Sequence, residues 1–71
     1  MYTDTHHINF DGKNCQLQII QEGIDTWFLL KHEGKMLAKI YLDKNQEWAS
    51  FPKLSQEQMD EIMQEVKRMY E

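Results

Sequence analysis

Three histidines, one cysteine and a scatter of serines and carboxylates are the residues of this 71-residue chain equipped for chemistry. His6-His7 has the composition of a metal pair. Adjacent side chains of an extended strand point to opposite faces, so the two imidazoles cannot converge on one ion. No cysteine or histidine stands at ligand spacing to complete a set. Cys15 beside a histidine would be a thiol nucleophile, yet its place in an alternating apolar run predicts a small core filler with a raised pKa. His32 flanks the Glu33-Gly34 turn and reads as solvated. Ser50 alternates outward between Ala49 and Phe51, and Ser55 is placed to cap a helix. Glu57, Asp60, Glu61 and Glu65 fall on or near the solvated side of that helix, where carboxylates need no tuned pKa. Gly12, Gly23 and Gly34 all sit in turns, so no loop cradles a phosphate, and the helix's own acids would repel an anion from its N-terminus. No set of nucleophile, base and orienting group assembles. The expectation is a protein that is not an enzyme and holds no metal or cofactor.

The elements that carry these residues are marked by turn chemistry and periodicity. His6 to Phe10 and Cys15 to Gln21 flank Asp11-Gly12-Lys13-Asn14, a hairpin signal. A Gly12-Lys13 loop of type II′ sets Phe10 opposite Cys15 and Ile8 opposite Leu17. A second hairpin runs from Trp27 to His32 and from Lys35 to Leu42 around Glu33-Gly34, pairing Lys31 with Met36, Leu29 with Ala38 and Phe28 with Lys39. A fifth strand, Glu47 to Phe51, follows the Asp43–Gln46 turn and sets Trp48 against Tyr41 and Ala49 against Ile40. Short local connections favour an up-and-down order. Pro52 stops the sheet. A helix then runs from the Ser55 cap to about Tyr70, with Gln58 completing a capping box and Leu54 and Met59 a hydrophobic staple. Met59, Ile62, Met63, Val66, Met69 and Tyr70 recur at spacings of three and four, one apolar stripe. Its methionines read as core. The fold class is α+β: an antiparallel β-meander of four to five strands with one C-terminal amphipathic helix packed on one face.

Size and charge bound what such a fold does. Residues 1–71 make one domain near the lower limit for a self-sufficient core, which favours help from association. A single cysteine excludes an internal disulfide and fits a reducing compartment. No apolar run approaches the ~20 residues that span a bilayer, and no signal-peptide pattern precedes the first strand. The expected location is cytoplasmic. Eight basic residues stand against twelve acidic ones, a formal charge of −4, which weighs against nucleic acid. The charges are unevenly spread: Lys31, Lys35, Lys39 and Lys44 lie mid-chain, and the acids crowd the helix.

One helix cannot cover both faces of this sheet. The parity of the Glu22–Asp25 loop decides which face joins the first hairpin, and an odd loop or a bulge at Gly23 is preferred, aligning it with Trp27 and Leu29. That leaves Phe28, Leu30, Leu37, Tyr41 and Trp48 as the bare patch, an interface of the kind contiguous aromatic patches mark. The functional expectation is a non-enzymatic protein-interaction module, self-associating as a homodimer through that face. The alternative is a single-stranded nucleic-acid-binding domain that uses the same aromatics, with Lys31, Lys35 and Lys39 tracking the backbone. The order of strands followed by a helix beginning Leu54-Ser55-Gln56-Glu57-Gln58 resembles the layout of the coactivator-type single-stranded-DNA-binding domains. Those are small dimers whose sheet takes the strand, and the resemblance implies the same use here. Layout by itself assigns no family.

Overall fold

The computed structural model describes residues 2–69, so the reading of Tyr70 in the helix stripe falls outside the described residues. Five strands, β1 (Tyr2–Phe10), β2 (Lys13–Glu22), β3 (Asp25–His32), β4 (Lys35–Leu42) and β5 (Trp48–Phe51), are followed by α1 (Gln56–Met69). The strands form one antiparallel sheet in the order β1-β2-β3-β4-β5. The expected meander and helix are what the chain forms.

Turn geometry sets the registers, and it corrects several of the expected ones. Asp11 and Gly12 both have positive φ, 53° and 75°. That is the requirement of a type I′ turn, for which Asp-Gly is a favoured pair. The loop is therefore Asp11-Gly12 rather than Gly12-Lys13, and Phe10 pairs with Lys13, Ile8 with Cys15 and His6 with Leu17. This slip of two residues leaves each side chain on its expected face, because strand side chains alternate with period two. At the next turn Glu22 pairs with Asp25 around Gly23-Ile24, and Gly23 has φ 62°. A two-residue loop is even, which overturns the preferred parity: Leu17 faces Leu30, and Ile19 faces Phe28.

The β3–β4 hairpin starts as expected, with His32 paired to Lys35 and Lys31 to Met36, but its register shifts between Lys31 and Leu30. Leu30 then meets Ala38, Phe28 meets Ile40, and Leu37 is the extra residue of a bulge. The bulge has a clear physical effect. Unbulged pairing would set Lys39 against Phe28, whereas the observed pairing sets Lys39 against Leu29 on the opposite face. The β4–β5 loop is folded by Asp43, whose Oδ1 accepts from the Asn45 and Glu47 amides at 2.8 and 3.0 Å. Leu42 consequently meets Trp48, and Tyr41 meets Ala49. That one-residue difference from the expected pairing moves Trp48 to the helix side and Phe51 away from it.

The core lies between the helix and one sheet face: Ile8, Phe10, Cys15, Leu17, Ile19, Phe28, Leu30, Ala38 and Ile40, closed by Ile62 of α1. Met59, Met63, Val66 and Met69 pack against this cluster, as do Leu54 and the bulged Leu37. The capping box forms as read from the sequence. Ser55 Oγ accepts from the Gln58 amide at 3.1 Å, and Gln58 Oε1 accepts from the Ser55 amide at 3.0 Å. A second tie comes from Glu61, whose carboxylate accepts from the Asp11 amide at 2.8 Å and fastens the helix to the first turn. Urea unfolding should rank the two ends of this arrangement. Ile62→Ala, which empties a fully buried site, is expected to cost about 2–5 kcal/mol, and Ser55→Ala about 1 kcal/mol.

Candidate interaction surface

The sheet face away from α1 is built by the complementary set of alternating residues. Thr3 pairs with Ile20, Ile20 with Trp27, Trp27 with Tyr41 and Tyr41 with Ala49, one row across all five strands. The next row runs Thr5, Gln18, Leu29, Lys39, Phe51. A third begins His7, Gln16, Lys31. Ile20, Trp27, Leu29 and Tyr41 are half-buried by their neighbours on the twisted sheet, while Phe51 is 74% exposed. The Lys39 ammonium lies 5.4 Å from the Trp27 ring centroid, a cation–π contact.

The residues read from the sequence as one bare patch are thus divided between places. Phe28 and Leu30 are core, 3% and 0% exposed. Trp48 is at the rim of the helix side, its ring 5.2 Å from that of Phe28, and Leu37 packs against the core from the bulge. Only Tyr41 belongs to the open face. Trp27, Leu29 and Phe51 were visible in the sequence as the other alternating set, and the even length of the Gly23-Ile24 turn was the signal that would have placed them outward. Of the lysines, Lys31 and Lys39 are on the open face, whereas Lys35 stands at the end of the β3–β4 hairpin.

Charge is partitioned between the two sides. Glu57, Asp60, Glu61 and Glu65 ride on the helix, and Asp4 shares the helix-side parity of Ile8. Asp11, Glu33, Asp43 and Glu47 occupy turns and loops. Glu22 and Asp25 pair at the extreme end of the open face, beside the Gly23 turn. Among the described residues, then, the three rows of the open face contain no carboxylate. At the Trp27 and Tyr41 end the face deepens into a hollow of about 470 Å³, lined by both rings together with Lys39, Lys44, Asp25 and Asp43. Its size lies within the range of small-ligand sites.

Several of the groups considered for catalysis make structural contacts. Ser50 lies on the helix side, not outward, and its Oγ accepts from the Leu54 amide at 2.8 Å. Ser55 is the helix cap. His6 and His7 diverge: His6 Nε2 contacts Asp4 Oδ2 at 2.8 Å, and His7 is exposed on the opposite face. His32 is half-buried, its Nδ1 at 3.0 Å from the Asn14 carbonyl, so it ties the second hairpin to the first instead of standing in solvent. Cys15 is 1% exposed. Burial pushes its thiol up; Lys13 opposes this, and Asp11 and Glu61 add to it. Among the described residues no cluster of three His, Cys, Asp or Glu side chains is placed to hold a metal ion, and no helix is long and apolar enough to cross a membrane. No protein family matches the chain, and neither does any curated protein or solved structure.

The thiol supplies a pH test of this packing. A folded-state pKa above the ordinary value means the unfolded thiol ionises first as pH rises. The stability tied to Cys15 is therefore complete below the ordinary thiol range and lost as pH climbs through it. The stability advantage of the native chain over Cys15→Ala, measured by urea unfolding, should narrow between pH 7 and pH 10. Iodoacetamide should modify the folded protein only at the rate of its unfolding.

Proposed function

We propose that this chain is a non-catalytic binding module whose open sheet face takes single-stranded nucleic acid. The observation that carries this reading is the makeup of that face: directly paired Trp27 and Tyr41, Lys39 and Lys31 beside them, and no carboxylate among the three rows. Aromatic rings on a strand face offer stacking to any base, and lysines between them meet the phosphates. Gln16, Gln18, Thr3 and Thr5 supply neutral hydrogen-bonding groups on the same surface.

Two magnitudes decide between this and an apolar dimer interface on the same face. Burying Lys39 and Lys31 against a second copy desolvates two ammonium groups whose own rows hold no carboxylate, and a desolvated unpaired ion costs several kcal/mol. A polyanion removes that penalty. Of the acids behind the net charge of −4, Glu22, Asp25 and Asp43 stand at the Gly23 end of the face and oppose a polyanion there, and those of the helix oppose it at long range. The helix acids are separated from the open face by a packed layer about 10 Å thick, roughly one Debye length at 0.1 M salt. Stacking on two rings contributes on the order of 1–3 kcal/mol per base, so binding is modest and salt-sensitive.

Fluorescence anisotropy with labelled oligo-dT and oligo-U should show binding at low salt. Its logarithm should fall with log salt at a slope of about −0.7 for each phosphate neutralised. Trp27→Ala should weaken it tenfold or more, and Lys39→Ala should reduce the slope by about 0.7. No binding to either polymer at low salt, or binding indifferent to Trp27→Ala, would sink the reading.

A further inference from the structure

The two edges of the sheet are treated differently by the sequence. β5 is four residues long and ends at Pro52, two usual ways of blunting an edge. β1 is nine residues long, and its sequence, YTDTHHINF, holds no proline and no lysine. A two-residue hairpin makes the residues flanking the turn, Phe10 and Lys13, a hydrogen-bonded pair. By alternation His6 and Ile8 bond to β2, and the amides and carbonyls of Thr3, Thr5, His7 and Asn9 face away from the sheet. The Thr5 amide shows this directly, because it donates to the carboxylate of Asp4 at 2.9 Å and not to the ladder.

We propose that the β1 edge is the docking strip for a second copy of this chain, paired antiparallel about a twofold axis through Thr5. The two five-stranded sheets then join into one. In that register Thr5 opposes Thr5 of the second copy and Thr3 opposes His7, and each of these pairs exchanges both N–H···O bonds. On the helix side Asp4 of each copy is set directly against His6 of the other, about 4.5 Å between Cα atoms as for any non-hydrogen-bonded pair. Charge complementarity selects both the register and the occupant. An axis through Asp4 sets carboxylate against carboxylate, and one through His6 sets imidazole against imidazole. A foreign strand with no donor opposite Asp4 takes that carboxylate further from solvent and offers it no partner beyond His6 and Tyr2 of its own chain, so Asp4 disfavours other strands while its own copy accepts it. Within one chain Asp4 already contacts His6 at 2.8 Å. Pairing exchanges that contact for its equivalent across the axis and frees the Thr5 amide for the new ladder.

Register-specific crosslinking tests this without reference to any ligand. With Thr5→Cys, mild oxidation should give a covalent dimer through position 5, because a Cα separation of about 5.5 Å in a hydrogen-bonded pair suits a disulfide. Thr3→Cys should not crosslink, since its opposite number is His7, and buried Cys15 takes no part. Sedimentation equilibrium should find the native chain dimeric, Asp4→Arg weakened tenfold or more, and the double variant Asp4→His with His6→Asp restored. A native chain that stays monomeric at millimolar concentration overturns the proposal. So does a dimer indifferent to Asp4→Arg, or one that crosslinks through position 3 as readily as through position 5. Circular dichroism of each variant separates loss of pairing from loss of fold.

Discussion

The two-residue turn at Gly23-Ile24 is the constraint on which the rest of this molecule depends. It joins two hairpins, and strand side chains alternate, so its length alone decides which face of the second hairpin continues the apolar face of the first. With an even loop, Leu17 lies against Leu30 and Ile19 against Phe28, and the helix closes over that single surface through Ile62. One more residue would have put Trp27 and Leu29 under the helix and turned Phe28 and Leu30 to the outside. The core and the open face are therefore two consequences of the same turn.

A second adjustment completes what the turn begins. The bulge at Leu37 restores agreement between the face of β3 and the face of β4, sending Ala38 and Ile40 inward and Lys39 outward. An unbroken ladder would have buried a lysine among Phe28 and Ile19, a burial that no carboxylate in the core could offset. The Asp43 side chain does similar service at the last turn, where its bonds to the Asn45 and Glu47 amides fix the register of β5. Trp48 is thereby tucked beside Phe28, and Phe51 is left in solvent. Local chemistry at three short segments thus decides the character of two whole surfaces.

The separation of acids from the open face follows from the same architecture. An amphipathic helix needs a charged outer side, and acids near its start suit the helix dipole. Turns draw Asp and Glu as well. What remains for the three central rows of the open face is neutral or basic, and the carboxylates on that side, Glu22, Asp25 and Asp43, gather at the Gly23 end. This face and the β1 edge are independent features. One is a matter of side chains and the other of backbone, and use of one leaves the other open.

The sequence by itself determined the elements, because each is written in local terms. The Ser55–Gln58 box and the Met59–Met69 stripe announce the helix, Asp-Gly and Glu-Gly announce the turns, and the alternation Cys15-Leu17-Ile19 announces a core strand. It also placed Cys15 inside and parted His6 from His7, since both follow from parity within a single strand. Only the tertiary structure decided which face of β3 to β5 is covered. That choice rests on the length of one turn, one bulged residue and one side-chain-folded loop, each of which shifts pairing by a single residue. Alternation makes a single residue the difference between core and surface, and hydrophobic pattern cannot choose when both faces of a strand are apolar. Phe28 and Leu30 were for that reason read as open when they are covered, Trp48 as part of the open face when it stands at the rim of the helix side, and Trp27, Leu29 and Phe51 as covered when they are on the open face.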